Sequence, residues 1–430
     1  MRLTSFHSLG SNRKTPRLWL ESARLDRLGF SPGCRVAVTP IRSATGPGIT
    51  LTVGDDCAAG VSVVERRTAG YVRPVIDLNS RRHLGHFAGF RELKITGTYG
   101  HMLVTPSVRA FSIHDGLASR SVYRMVDIFC GGGTASDAFA NPRFRVVAGV
   151  EVSPLFADEY SRKHPDAEII LGDFRFIHPS ELPEFDGLFV GLPCTCHSTQ
   201  ARTKKGLRGA PELGDTGDLY IPVLGLVATR MPAFLVLENV PSFATSLAGR
   251  TVLAHLARLG YHVSSAIIDP LNDYGEPSSR RRWVCVATLH RRFSIPNPHT
   301  PFRGTINRFL DRPNAVLDRQ DASRIAKTIV GLRAHSDRHA AKGNGFRLTV
   351  LDRHAKKLPT ILKSYHKINN SGAFLSTPYG PRMLRPGEVC RIHGHTFISD
   401  DATSVYQMSG QGVQTRVFRT IADALAEFLP

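Results

Sequence analysis

The chain has 430 residues, 42% hydrophobic and 21% charged, a balance that fits two or three folded units and argues against a disordered or membrane-embedded protein. Lys and Arg number 55 against 36 Asp and Glu, a formal charge of +19, and that excess favours a polyanionic partner, nucleic acid first. The seven cysteines (Cys34, Cys57, Cys130, Cys194, Cys196, Cys285 and Cys390) are scattered and odd in number, no apolar run is long enough for a bilayer, and no signal segment opens the chain, so a reducing cytoplasm is expected.

Residues 1–120 read as a β-rich accessory unit with a pattern that occurs twice, over Pro16–Val53 and Arg73–Pro106. Each copy has an extended entry, a short helical stretch near a Gly-Phe pair (Gly29-Phe30, Gly89-Phe90), a strand, a glycine turn and another strand. The phrase LGFSPGCRVAV in the first copy resembles the swapped-hairpin DNA-binding domains of the AbrB and SymE-like type. That resemblance implies a DNA-binding pseudo-dimer built from one chain, with a small structural β-unit as the alternative.

From Met125 the text changes to short apolar runs alternating with helical stretches, which predicts βαβ units and a largely parallel sheet. Strands are expected at Met125–Phe129, Arg145–Val150, Glu168–Leu171, Gly187–Leu192, Ala233–Leu237, His262–Ile268 and Arg282–Ala287, with helices at Pro154–Lys163 and Arg250–Leu259. These place a catalytic α/β domain at 121–289. Residues 290–358, rich in Arg, His and Pro with weak periodicity, read as an insert that touches nucleic acid. Residues 359–430 complete the domain, and Val417, Ile421, Ala424, Leu425 and Phe428 form one face of a terminal helix.

The first strand runs into DIFCGGGTAS, Asp127–Ser136, where a doubly wound fold holds a nucleotide-like ligand. Gly131 and Gly133 permit close approach, but Ser136 breaks the G-x-G-x-x-G pattern and disfavours a dinucleotide. Glu151, at the end of the second strand, suits ribose hydroxyls, and Asp173, in LGDF after the third, suits an adenine amino group.

The fourth strand leads into GLPCTCHS, which puts Cys194 at the carboxyl edge of the sheet as a nucleophile, and the fifth ends in LENV, bringing Glu238 and Asn239 to the same crevice. Cys194, Cys196 and His197 lack a second ligand pair, so no metal is expected. Most of the histidines are read as surface residues, and none is given a catalytic role.

These motifs, in this order, resemble those of the DNA cytosine-5 methyltransferases. DIFCGGG is similar to the family's F-x-G-x-G turn, PCTCHS to P-C-Q-x-F-S, ENV to E-N-V and SSRRRW to Q-x-R-x-R. RMLRPGEVCRIHGH, Arg382–His395, resembles R-x-L-T-x-x-E-x-x-R-x-x-G, and GQGV, Gly410–Val413, resembles G-N-x-V. The resemblance implies an α/β, Rossmann-like S-adenosylmethionine (SAM)-dependent methyltransferase with a mixed sheet and a small target-recognition domain. It implies that Cys194 attacks C6 of a flipped cytosine while Glu238 engages N3, Asn239 holds the loop, and Arg280 and Arg282 hold the base carbonyl and stabilise the charged intermediate. Asp127, Phe129, Gly131, Gly133, Glu151, Asp173, Pro193, Gln411 and Val413 would line the cofactor site, and Arg202, Lys204, Lys205 and Arg208 would meet DNA phosphates. Double-stranded DNA, a cognate restriction endonuclease and a prokaryotic or phage nucleoid setting follow from the same resemblance. Thr195, His197, Ser278 and Gln411 depart from the family's Gln, Phe, Gln and Asn. A transfer RNA methyltransferase and a non-catalytic DNA-binding regulator are the alternatives.

Overall fold

The computed structural model describes residues 3–22, 24–43, 46–54, 61–68, 71–88, 90, 92–107, 119–194, 215–341, 343, 348–370 and 372–430. The chain divides into two compact units, Met1–Ala118 with Ala228–Met231, and Ser119–Val227 with Pro232–Pro430.

In the first unit, apolar and polar residues alternate along strands that bury one face. β1 (Leu3–His7), β2 (Gly10–Asn12) and β3 (Thr15–Glu21) lead to α1 (Arg24–Arg27), β4 (Arg35–Ser43) and β5 (Gly46–Val53). β6 (Val61–Thr68) and β7 (Tyr71–Asn79) lead to α2 (Arg81–Leu84), β8 (Leu93–Thr98) and β9 (His101–Pro106). The sheet order is β1-β8-β9-β5-β4-β6-β7-β3-β2. β3 pairs with β7, Leu18 opposite Leu78 and Leu20 opposite Ile76, while β5 pairs with β9, Ile49 opposite Val104 and Leu51 opposite Met102. β1 adds to β8, and β6 adds to β4, so each half lends a strand to the other. Phe30, Ile49 and Leu51 of the first half and Phe87, Met102 and Val104 of the second share one apolar cluster.

The second unit is built on β10 (Tyr123–Ile128), β11 (Phe144–Glu151), β12 (Glu168–Leu171), β13 (Gly187–Gly191), β14 (Phe234–Asn239), β15 (His262–Ile268) and β16 (Arg282–Thr288). Their order is β12-β11-β10-β13-β14-β16-β15. The first five run parallel, and β16 is antiparallel to both its neighbours. The chain steps outward from β10 to β12 and then returns to the other side of β10 at β13. That reversal opens a crevice beyond the carboxyl ends of β10 and β13, where such sheets bind ligands.

Between the strands lie α3 (Thr134–Ala138), α4 (Pro154–Lys163), α5 (Tyr220–Arg230), α6 (Leu247–Arg258) and α7 (Pro270–Asp273). The helix expected from Arg250 starts three residues earlier because the Ser246 side chain caps it, accepting from Gly249 N at 3.0 Å.

The described residues of 290–358 carry more regular structure than their sequence suggests. They contain α8 (Ala315–Ala341), whose buried stripe of Asp318, Ala322, Ile325, Ile329 and Ser336 is too polar and narrow to announce a helix. β17 (Thr349–Leu351), β18 (Ala373–Leu375) and β19 (Arg382–Met383) follow, then α9 (Pro386–His393), α10 (Ala402–Gln411) and α11 (Thr415–Phe428). One apolar cluster joins Ile306, Phe309, Ile325 and Ile329 to Ile361, Phe374 and Val389, so no packing boundary falls at residue 358. The terminal helix buries Val417, Ile421 and Leu425 with Phe189 and Val284 of the sheet. Among the described residues no helix is long and apolar enough to cross a membrane.

Candidate active site

Beyond Ile128 the chain must reverse within a few residues, and it does so through left-handed backbone at Phe129 (φ 62°), Gly131 (φ 53°) and Gly133 (φ 79°). The acid at the end of β11 clamps this turn: Glu151 Oε2 accepts from Gly131 N at 2.9 Å and Oε1 accepts from Ser153 N at 2.8 Å. Asp127 lies beneath it, 2% exposed, with Oδ2 accepting from Ser136 Oγ at 2.8 Å. Its Oδ1 is buried without a partner among the described residues. Burial pushes this carboxyl up to about 7, opposed by the Ser136 hydrogen bond and reinforced by the charge of Glu151.

The Phe129 ring meets Phe174 edge-on at 5.5 Å. Asp173, just before Phe174, caps a short 3₁₀ turn by accepting from Arg175 N at 3.0 Å. From the far end of the chain, Val413 N donates to Thr134 Oγ1 at 3.1 Å, and a side chain on Gly131 would come within 3.5 Å of Gln411 Nε2. The expected cofactor residues from the ends of β10, β11 and β12 and from the Gly410–Val413 stretch therefore meet at one edge.

On the other side of the crevice, Gly191 of β13 lies opposite Glu238 of β14. Pro193 and Cys194 follow within three residues, Cys194 half-buried with a free thiol. Asn239 ties the two strand ends together, since its Nδ2 donates to Leu192 O at 3.3 Å while its Oδ1 accepts from Val240 N at 2.7 Å. β16 lies next to β14 and brings Arg282, whose Nε stands 2.7 Å from Glu238 Oε1. Arg280, which also feels the charges of Glu238 and Cys194, donates to Ile361 O at 3.4 Å and to Gly412 O at 3.1 Å.

Burial raises the Glu238 carboxyl above its ordinary range, although Arg282 and Arg280 pull the other way. Burial likewise disfavours the Arg280 cation, helped by the like charge of Arg282 and opposed by Glu238 and Cys194. A thiol, an acid that retains its proton more readily than usual and two guanidiniums thus surround one crevice. That set suits nucleophilic addition to an electron-poor ring assisted by proton donation.

Thr195, Cys196, His197, Arg202, Lys204, Lys205 and Arg208 lie outside the described residues. Ser278, fully buried, bridges to Leu358, and its Oγ has no partner among the described residues. His393 and His395 are exceptions to the mostly exposed histidines, both buried. His395 contacts Ser409 Oγ at 2.7 Å and Val413 O at 2.6 Å, and burial holds its pKa down to about 3. The imidazole of His395 is thus held neutral and hydrogen-bonded inside the fold. Sequence reasoning also missed Thr134, Phe174 and Arg175, although Thr134 closes the glycine turn and Phe174 directly follows the acid of LGDF. Among the described residues no three His, Cys, Asp or Glu side chains converge as metal ligands.

The family model for the C-5 cytosine-specific DNA methylase matches residues 123–427, from the first strand of the second unit into its last helix. The Type II methyltransferase M.NlaX of Neisseria lactamica is 26% identical over 320 residues, 71% of this chain and 96% of that protein. The Type II methyltransferase M1.ScrFI of Lactococcus lactis subsp. cremoris is 25% identical over 324 residues, 71% of this chain and 79% of that protein. Two solved structures share the fold: the Entamoeba histolytica methyltransferase EhMeth, with a TM-score of 0.58 at 18% identity over 72% of this chain and all of that one, and the S. pombe Dnmt2 methyltransferase, with 0.57 at 15% over 71% and 99%. A match that starts at β10, ends in α11 and encloses the whole crevice shows that the chain belongs to the C-5 cytosine-specific DNA methylase family, as a SAM-dependent DNA cytosine-5 methyltransferase.

Proposed function

We propose that Cys194 is the nucleophile and Glu238 the assisting acid of methyl transfer to a cytosine in double-stranded DNA. The observation that carries this reading is the pairing of Gly191 with Glu238, which sets a raised, Arg282-gripped carboxyl beside the strand that delivers Cys194.

Cytosine C5 is a weak nucleophile until something adds across the 5,6 bond, and neither carbon is accessible in a stacked duplex, so the base must be flipped out. Cys194 Sγ bonds to C6 while Glu238 donates to N3, which moves electron density onto C5. C5 becomes the nucleophile and gains the methyl group; its proton then passes to solvent, N3 returns its proton to Glu238, and the 5,6 double bond re-forms as the C6–S bond breaks. Arg282, on Glu238, keeps the acid oriented and stabilises charge on the ring. Arg280 serves the same intermediate by fixing the backbone at Ile361 and Gly412. Asn239 holds the nucleophile's strand end.

Asp127, Phe129, Gly131, Gly133, Glu151, Asp173, Pro193, Gln411 and Val413 are the proposed SAM-binding set. The unpartnered Asp127 oxygen and a glycine turn open to close approach fit a nucleoside that carries an amino group. When bound, SAM supplies an electrophilic methyl group. Arg202, Lys204, Lys205 and Arg208, which follow Cys194 in the chain, are proposed phosphate contacts. The Type II names of the relatives support a cognate restriction endonuclease in a prokaryotic or phage setting, with the DNA substrate in the cytoplasm.

For the first unit we propose accessory DNA binding of the swapped-hairpin, AbrB or SymE-like kind. Sixteen Lys and Arg against eight Asp and Glu in residues 1–118, and strands exchanged between its halves, support that reading. Replacing exposed Arg13, Lys14 and Arg82 together by Glu in the full chain should weaken DNA binding and flatten its salt dependence; an unchanged salt slope would leave the unit without this role.

Bisulfite sequencing of host DNA after expression tests the catalytic reading, with Cys194→Ala as control. A protected cytosine in one sequence context, seen only with the intact protein, is the expected result. No protected cytosine from a folded, SAM-binding protein would overturn it.

A further inference from the structure

Arg175 belongs to none of the motifs above, yet it joins two parts of the catalytic unit. Its backbone N donates to Asp173 Oδ1 at 3.0 Å and its Nη1 to Asp173 Oδ2 at 2.9 Å, so one residue grips both oxygens of that carboxylate. The other side of the same guanidinium faces Asp218: Nη2 donates to Oδ1 at 2.7 Å and Nε to Oδ2 at 3.4 Å, and Nη2 also reaches the carbonyl of Asp215. Asp215 is where the described chain resumes after Cys194, and Asp218 stands two residues before α5. The anchor is itself braced, because Phe174 next to it is buried against Phe129 of the glycine turn.

We propose that Arg175 is the positioning residue of the adenine-binding acid, orienting Asp173 and fastening it to the approach of α5. This inference rests on the reading of Asp173 as a cofactor contact. Charge supports it, since one guanidinium serves two carboxylates and leaves the cluster negative, so Asp173 keeps its attraction for an amino donor. Geometry supports it too. Each carboxylate oxygen offers two lone pairs, and among the described residues Arg175 takes one on each Asp173 oxygen, which leaves one on each for a ligand amine. Asp173, Arg175 and Asp218 are 35%, 29% and 48% exposed. An isolated pair at that exposure adds little to stability, so the fork's consequence lies in orientation.

The test measures S-adenosylhomocysteine affinity by calorimetry, together with the SAM KM, kcat and Tm, on the full-length protein. Arg175→Met and Asp218→Asn should each weaken binding about tenfold, the loss of a charge-assisted contact, and the double variant should be little worse than either alone. KM should rise more than kcat falls. Arg175→Lys should recover little, because a point charge cannot span two carboxylates. Tm should stay within about 2–4 °C of wild type, as a surface substitution in a unit of this size would. Asp173→Asn separates the two readings. If it leaves affinity unchanged, the cofactor assignment of Asp173 falls; if it weakens binding while Arg175→Met does not, or if the Arg175 and Asp218 effects simply add, only the positioning role falls.

Discussion

Arg282 stands 2.7 Å from Glu238 with both side chains nearly dry, 12% and 10% exposed, so the acid is oriented by a charge and kept from water by the same neighbour. Burial nevertheless wins over that charge and lifts the carboxyl above its ordinary range. An acid raised in this way retains its proton to higher pH, so turnover should decline as pH rises through the elevated value. Glu238→Gln should lower kcat about 10²- to 10⁴-fold and abolish that decline. Single-turnover rates on duplex DNA from pH 5.5 to 9 provide the check, and a variant within threefold of wild type would remove Glu238 from the chemistry.

Asp127 makes a prediction about stability instead. Its carboxyl rises from 3.8 to about 7 in the folded protein. A folded-state value above the unfolded one means that the group's contribution is complete below about pH 4 and is lost as pH climbs through 7, at about 1.4 kcal/mol for each tenfold difference in proton affinity between the two states. Asp127→Asn, which cannot ionise, should gain on wild type in Tm between pH 4.5 and 8 without cofactor. A Tm difference that stays constant across that range would contradict the assignment.

Two glycines should respond in opposite directions to the same substitution. A Cβ on Gly410 would lie 2.3 Å from the Leu362 carbonyl carbon and 2.4 Å from Lys363 N, backbone that has no rotamer to change. Gly410→Ala should cost about 1–3 kcal/mol or more. Gly225, within α5, would place its Cβ in open space, and Gly225→Ala should stabilise by up to about 1 kcal/mol through helix propensity. Urea midpoints of the two variants measure both, and equal shifts would refute the contrast.

Arg382 holds the insert to the segment that follows it. It forks onto both oxygens of Glu388 at 2.8 Å and reaches Asp318 of α8 at 3.0 Å, with 1% or less of Arg382 and Glu388 exposed. Arg382→Met takes the guanidinium from the buried Glu388 carboxylate and leaves Asp318 to Arg385 alone, and should cost about 3–5 kcal/mol, most of it recovered neither by Lys nor by salt. Chemical denaturation of Arg382→Met and Arg382→Lys tests this, and a loss below about 1 kcal/mol would show that water replaces the guanidinium.

The parallel sheet was legible because strands covered on both faces read as unbroken apolar runs, and each such run ended in the residue now found at the carboxyl edge. Glu151, Glu238 and Cys194 could thus be placed beside one crevice from strand order alone. α8 could not be read: Asp318 and Ser336 occupy its buried stripe, and the partners that make Asp318 tolerable there, Arg382 and Arg385, are more than sixty positions away. The contacts of Arg280 could not be read either, because two of its donors reach the carbonyls of Ile361 and Gly412, which the sequence does not mark as neighbours. Arg175 needed Asp218, across a stretch containing Cys194, before it could mean anything.

The strand exchange in the first unit governs how it can be made. Leu3 pairs with Gly97 and Ile49 with Val104, so a nascent chain emerging in order carries β1 and the outer β5 edge unpaired until the second half has been synthesised. Neither half can seal an apolar cluster that takes residues from both. Such a unit forms late and as a whole, with most of its pairing between distant positions. Translation that stalls before Pro106 leaves sticky sheet edges instead of a folded half, and a truncated copy of the unit is an aggregation hazard for the same reason.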